Sequence, residues 1–164
     1  MRFEGKVWKD GKFWLIEVPL LDVMTQGHTR TEAFEMIKDA IESLINQDGF
    51  EVVVHHGRGD TFEVSANDIR PMLALMLKRK RVAKGVSLGE AISRLGQSSK
   101  MAFARYERGK AVPSVIKLAE LFAAVSQGHD LVLRQSEFAD PQASVDPQAF
   151  ADPQAARAAE KKAG

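Results

Sequence analysis

The sequence predicts an α+β chain: a small ββ(β)αβ unit over residues 1–66, an all-helical unit over 67–135, and a repetitive flexible tail over 136–164. Three observations lead there. Two β-rich runs flank Asp10-Gly11 near the start. Helical spacing with capping signals begins at Thr29 and recurs in four further segments after Ile69. Charge is sorted by segment, with net values of −6 over residues 1–68, +9 over 69–110 and −2 over 111–164 inside a total of only +1.

Residues 3–9 and 12–18 are rich in aromatic and β-branched side chains, and Asp10-Gly11 tolerates the positive φ angles of a two-residue type I′ turn, so a hairpin is expected. Pro19 cannot donate to a ladder; the second strand should stop near Val18, with a short third strand at 23–26. Thr29 and Glu32 have capping-box spacing, which starts a helix. Ala33, Ile37, Ala40, Ile41, Leu44 and Ile45 then recur at intervals of three and four, widened by Phe34 and Met36, giving a stripe that can lie on one sheet face. Phe50, Val52 and Val54 alternate with Glu51 and Val53 as a further strand, with a partner at 61–65 across a Gly57-Arg58-Gly59-Asp60 turn.

The helical unit is well punctuated. Pro71 suits the first turn of a helix running to about Lys84, where Gly85 takes a left-handed C′ position. Met72, Leu73, Leu75, Met76 and Leu77 are its core side chains. Ser87 and Glu90 repeat the capping-box spacing for a helix ending at Leu95-Gly96; Ser98 or Ser99 caps a third over 100–108, closed by Gly109. Ser114 caps a fourth carrying Val115, Ile116, Leu118, Ala119, Leu121 and Phe122. Leu131-Val132-Leu133 reads as a strand or a dimer contact. The consecutive Lys78, Arg79, Lys80 and Arg81 fan around about 300° of a helix, so they divide between solvated surface and phosphate contact. Asp-Pro-Gln-Ala occurs at 140–143, 146–149 and 152–155, placing proline too often for a continuous helix; a disordered or polyproline-like stretch is expected there, with a brief helix over 155–162.

Composition excludes several classes. With no Cys there is neither a disulfide framework nor a Cys-based zinc site, as suits a reducing cytoplasm. No apolar run approaches the roughly 20 residues of a membrane span, and the first residues alternate charge instead of building a signal-peptide core. A cytoplasmic protein without membrane contact is expected. His55 and His56 are adjacent in a strand and point to opposite faces; His28 and His129 lack ligand-spaced companions. Glu4, Asp10, Glu17 and Asp22 read as exposed edge and turn residues, not as carboxylates converging on divalent ions in the way an RNase H-type nuclease requires. With no glycine-rich phosphate loop and no paired nucleophile and base, neither catalysis nor a cofactor is expected.

The stretch SLGEAISRLGQSSKMAFARYERGKAVPSVIKLAELF, most specifically YERGKAVPS, resembles the Xre/Cro-type helix-turn-helix repressors. The resemblance implies that residues 67–135 bind DNA, with Lys100, Met101 and Arg105 at base-reading positions and Ser99, Arg108 and Lys110 on phosphates. One departure stands out: Gly96 lies ten residues before Tyr106, one more than the family's usual spacing, so the turn holds an extra residue or the third helix starts differently. In the first unit, the Asp10-Gly11 hairpin with its aromatic neighbours and QGHTRTEAFEMIKDAIESLI are similar to the HicB-family antitoxins. That resemblance implies a partial RNase H-like fold without nuclease activity. It would neutralise a small HicA-type mRNA-cleaving toxin, while the second unit represses its own operon as a homodimer or higher homo-oligomer on operator DNA. The −6 charge of residues 1–68 suits a cationic partner, and Trp8, Phe13 and Trp14 are candidate anchors or, equally, core. Two alternatives stay open: a stand-alone repressor whose first unit senses a ligand or oligomerises and, less favoured, a metal-dependent RNase H-like nuclease.

Overall fold

A computed structural model describes residues 1–57, 59–96 and 100–136. The chain is α+β. In order come β1 (Phe3–Asp10), β2 (Phe13–Val18), a 3-10 turn (Pro19–Leu21), β3 (Val23–Gly27), α1 (Arg30–Ile45), β4 (Val52–His56), β5 (Thr61–Ala66), α2 (Ile69–Ala83), α3 (Leu88–Arg94), α4 (Lys100–Glu107) and α5 (Val115–Val125). The five strands form one sheet in the order β3-β2-β1-β5-β4, and every neighbouring pair is antiparallel.

The local signals act as their chemistry requires. Gly11 takes φ +56° between Asp10 and Phe13, which pair across the first hairpin. Pro19 ends β2 in the 3-10 turn, and Asp22 leaves it in the left-handed region at φ 54° with its N–H donating to Pro19 O. Thr29 Oγ1 accepts from Glu32 N at 3.1 Å, but the Glu32 carboxylate reaches one residue beyond the cap and accepts from His28 N at 2.7 Å.

Register sorts the side chains. Phe3 opposite Val64, Gly5 opposite Phe62, Val7 opposite Ile16 and Val18 opposite Val23 share one face. Helix α1 covers it with Ala33, Phe34, Ile37 and Ile41. Met36 and Leu44, both expected on the apolar stripe, are 39% and 46% exposed: Met36 sits about 100° around the helix from the middle of the buried side, whereas Leu44 is in line with Ala33 and Ile37 but lies in the last turn. Two glycines set the layer spacing. A Cβ on Gly5 would lie 2.2 Å from Phe62 Cζ, and one on Gly27 would lie 2.5 Å from the amide nitrogen of Ala33. Among the described residues no helix packs across the opposite face, which carries Glu4, Lys6, Trp8, Leu15, Glu17 and Glu63.

Helix α2 joins the two halves. Met72 to Leu77 are all buried, because one side of the helix meets the 3-10 turn, α1 and β5 while the other meets α4 and α5. The buried core is therefore continuous from Phe3 to Val125. Most of the basic run on this helix is held internally. Arg79 Nε donates to Asp22 O at 2.9 Å and Lys80 Nζ to Pro19 O at 2.7 Å. Arg81 makes a two-point pair with Glu107 at 2.6 and 3.1 Å and also donates to Val86 O. Lys78 alone of the four is exposed.

After α5 the chain turns back to the sheet. Residues 131–133 form no strand: they run over β1 and β5, each already paired on both sides, so no edge is open to them. Leu131 packs partly against the core, whereas Val132 and Leu133 are 86% and 77% exposed. The Asp-Pro-Gln-Ala repeats lie outside the described residues. Among the described residues no helix is long and apolar enough to cross a membrane.

Gly5→Ala is expected to lower stability by about 2–3 kcal/mol through overpacking against Phe62, read as a lower urea midpoint at unchanged slope. Glu107→Gln leaves a largely buried guanidinium half-paired and should cost about 3–5 kcal/mol in the same titration, whereas Arg81→Met with Glu107→Leu should regain most of that loss.

Candidate nucleic-acid interface and partner face

Helix α3 starts at a complete capping box. Ser87 Oγ accepts from Glu90 N at 3.2 Å, and Glu90 Oε2 accepts from Ser87 N at 2.7 Å. Ala91 and Ile92 bury its inner side, and Arg94 Nη1 donates to Ala124 O at 2.9 Å, tying α3 to α5. Gly96 leaves the helix at φ +63°. Helix α4 is fixed from within by Phe103, which is fully buried, by the partly buried Tyr106, and by Glu107 in its pair with Arg81. Tyr106 thus serves packing.

With that side engaged, the outer side of α4 is defined. Met101 is 68% exposed, Arg105 is exposed, and Arg108 follows in the next turn, so the three recur at intervals of four and three on one face. Arg108 Nε donates to Ala104 O at 3.0 Å, which anchors its stem against the end of the helix. Gly109 takes φ +66°, and Lys110 N closes the turn on Arg105 O at 2.9 Å with its side chain exposed. Lys100 is the first residue of α4, and Ser99 lies outside the described residues. Of the six residues assigned to DNA from the sequence, Met101, Arg105, Arg108 and Lys110 therefore fall on one exposed stretch.

The three aromatic candidates in the first unit do not form one surface. Trp8 lies opposite Leu15 on the open face of the sheet, and alternation places Phe13 there too, its ring 5.1 Å from that of His28. Trp14 belongs to the helix-covered side, opposite Gly27. The Arg30 guanidinium lies 5.7 Å from the Trp14 ring centre and 5.8 Å from that of Phe34, within cation–π range of both. Its Nη2 donates to Gly59 O, and its buried Nε has no hydrogen-bond partner among the described residues. The ring of His56 meets Phe34 edge-on at 4.5 Å. Arg30 drew no notice in the sequence, and His56 was read there only as facing away from His55, because their cluster depends on which strand pairs with which.

The open face carries a polar group centred on Glu63, which lies directly opposite Glu4. Arg2 Nη1 reaches Glu63 at 3.1 Å, and His55 Nε2 and Ser65 Oγ are 2.7 Å apart. Burial pushes the Glu63 carboxyl up, but the hydrogen bonds from Ser136 and Arg2 and the charges of Arg2 and Arg134 outweigh it and hold the group below its ordinary range. His55 is lowered by burial and by Arg2, against an opposing pull from Glu63; His56 is lowered by burial and by Arg30. Among the described residues no three His, Asp or Glu side chains are grouped to hold a metal ion.

Compared with protein-family models and with curated proteins, the chain matches none.

Because folding favours the neutral form of both imidazoles, their contribution is complete above the unfolded value of about 6.5 and is lost as pH falls through the lower folded values. The urea midpoint is therefore expected to drop between pH 7 and pH 5.5. The drop should shrink in His55→Gln and His56→Gln, measured at matched ionic strength.

Proposed function

We propose that the chain is a HicB-type antitoxin and autorepressor. Its first unit, a partial RNase H-like fold, covers a small cationic HicA-type toxin, while α3 and α4 act as a helix-turn-helix on the operator of the pair's own promoter. The observation that carries the DNA half is the outer face of α4. Its inner side is locked by Phe103 and the Arg81–Glu107 pair, leaving Met101, Arg105, Arg108 and Lys110 exposed together. Arg105 would offer its fork to guanine O6 and N7, and Lys100 a base acceptor or phosphate. Arg108, Lys110 and Ser99 would set the register on phosphates. Lys78 is the one member of the basic run left exposed to add to this field.

A two-fold homodimer fits the role, because two such modules match half-sites about one DNA turn apart. Val112, Val115 and Ile116, at 58%, 60% and 76% exposed around the start of α5, support a self-contact there. The net charge of −6 over residues 1–68 supports an RNA-binding, hence cationic, partner for the sheet. One observation favours a second reading, a stand-alone repressor that senses a small molecule: a cleft between the sheet and the segment after α5, lined by His55, Glu63, Lys80 and Lys84.

Fluorescence anisotropy on the upstream DNA tests the proposal. Arg105→Ala should cost about 1–3 kcal/mol on the operator and relax specificity at one base pair, whereas Lys110→Ala should weaken all sequences evenly and reduce the salt slope by about 1. Unchanged footprints from the double charge reversal Lys100→Glu, Arg105→Glu would overturn the repressor role. Co-expression with the neighbouring gene product, scored by growth rescue and co-purification, separates the antitoxin from the stand-alone repressor. Cleavage of RNA with Mg²⁺ or Mn²⁺ that survives repurification would instead establish a nuclease.

A further inference from the structure

Glu4 and Glu63 face each other across the central strand pair of the open sheet face. Like charges at directly opposed positions repel unless a cation lies between them. Arg134 supplies it. Its Nη2 lies 2.7 Å from Glu4 Oε2 and 3.1 Å from Glu63 Oε1, and Ser136 Oγ donates to Glu63 two residues on. Residues 131–136 thus run over β1 and β5, with Leu131 against the core at one end and Ser136 on Glu63 at the other.

We propose that the open sheet face is a receptor for an extended, arginine-bearing protein segment, and that residues 131–136 occupy it in cis until such a partner displaces them. The hold is built to be released. Arg134 is 63% exposed and Glu4 47%, with only Glu63 largely buried at 17%, and ion pairs with an end so exposed are individually weak. Val132 and Leu133 add no burial, at 86% and 77% exposed. Contacts this weak suffice because the segment is tethered to α5, which ends only a few residues earlier at Val125. A tethered segment competes at an effective concentration of about a millimolar, so a partner must bring more than one guanidinium, or contacts beyond it, to win. Trp8, Leu15 and Phe13, farther along the same face, would provide those contacts. For an antitoxin this places the toxin's docking point around Glu4 and Glu63, and that extension rests on the function proposed above; the cis contact does not.

The absence of Cys allows clean double spin labelling of the full chain at Val53→Cys, on the open face of β4, and Val132→Cys. Pulsed electron resonance should give one narrow distance peak in the otherwise native chain. Arg134→Ala should reduce the population of that peak at least three-fold, as should Glu4→Gln with Glu63→Gln. Hexa-arginine should dissolve it with a midpoint near a millimolar, and should bind Arg134→Ala about ten-fold more tightly than the native chain. A broad distribution in the native background, a narrow peak that survives both sets of variants, or indifference to hexa-arginine each overturns the proposal. Failure to co-purify with the neighbouring gene product would sink the antitoxin reading while leaving the distance result intact.

Discussion

Helix α2 is apolar on almost every side, and this constraint organises the rest. A helix with one apolar stripe belongs to one layer, but Met72 to Leu77 are buried all round and so need a partner on each flank. The sheet unit supplies one flank through the 3-10 turn, α1 and β5, and the short helices supply the other through α4 and α5. Neither part could shed the other without exposing much of this helix. Polar contacts reinforce the joint at both flanks: Arg79 and Lys80 on the carbonyls of Asp22 and Pro19, and Arg81 on Glu107. The last pair also orients α4, since Glu107 closes that helix.

The electrostatic character of the second half follows from this joint. A net +9 over residues 69–110 suggests a broad cationic surface, yet Arg79, Lys80 and Arg81 are committed to protein oxygens, Arg94 donates to Ala124 O and Arg70 is paired with Asp68. Apart from Lys78 and Lys84, the charge that remains presented is concentrated on and just after α4. Concentration of this kind favours recognition of one groove over diffuse attraction to any polyanion, because a side chain already satisfied within the protein gains little by exchanging its partner for a phosphate.

Much of this architecture was legible in the sequence. The Asp10-Gly11 hairpin, the breaks at Pro19, Gly85, Gly96 and Gly109, and the caps at Thr29, Ser87 and Ser114 all depend on a few neighbouring residues, and all are found. What depended on distant residues was not. Capping-box spacing at Thr29 did not reveal that Glu32 would accept from His28, a choice set by how Gly27 brings β3 against the first turn of α1. The run of four basic residues could not declare its partners, because Asp22, Pro19 and Glu107 come from elements far apart in sequence. Leu131-Val132-Leu133 looked like a strand by composition, but strand formation also needs an open edge, and β1 and β5 offer none. At the candidate DNA interface, the resemblance to helix-turn-helix repressors singled out Met101, Arg105 and Arg108; that they share one exposed side while Phe103 and Glu107 lock the other required the tertiary fold.

Between β5 and the cap of α2 stands a single residue, Asn67, and it is pinned. Its side chain donates to Gly49 O at 2.7 Å and accepts from Glu51 N at 3.1 Å, while its own N–H donates to Glu51 O at 3.1 Å. A junction so short and so fully bonded gives the two halves no slack, unlike the flexible tethers that let joined modules act independently. In the proposed antitoxin, a toxin on the open sheet face would therefore stand at a fixed position relative to α4. Its influence on operator binding would come from added charge and from steric fit against a neighbouring molecule on the DNA, with no hinge needed to relay it. The segment at Arg134 is the exception, since it joins α5 to the sheet without passing through α2, and its release changes what the sheet presents while leaving the α2 joint intact.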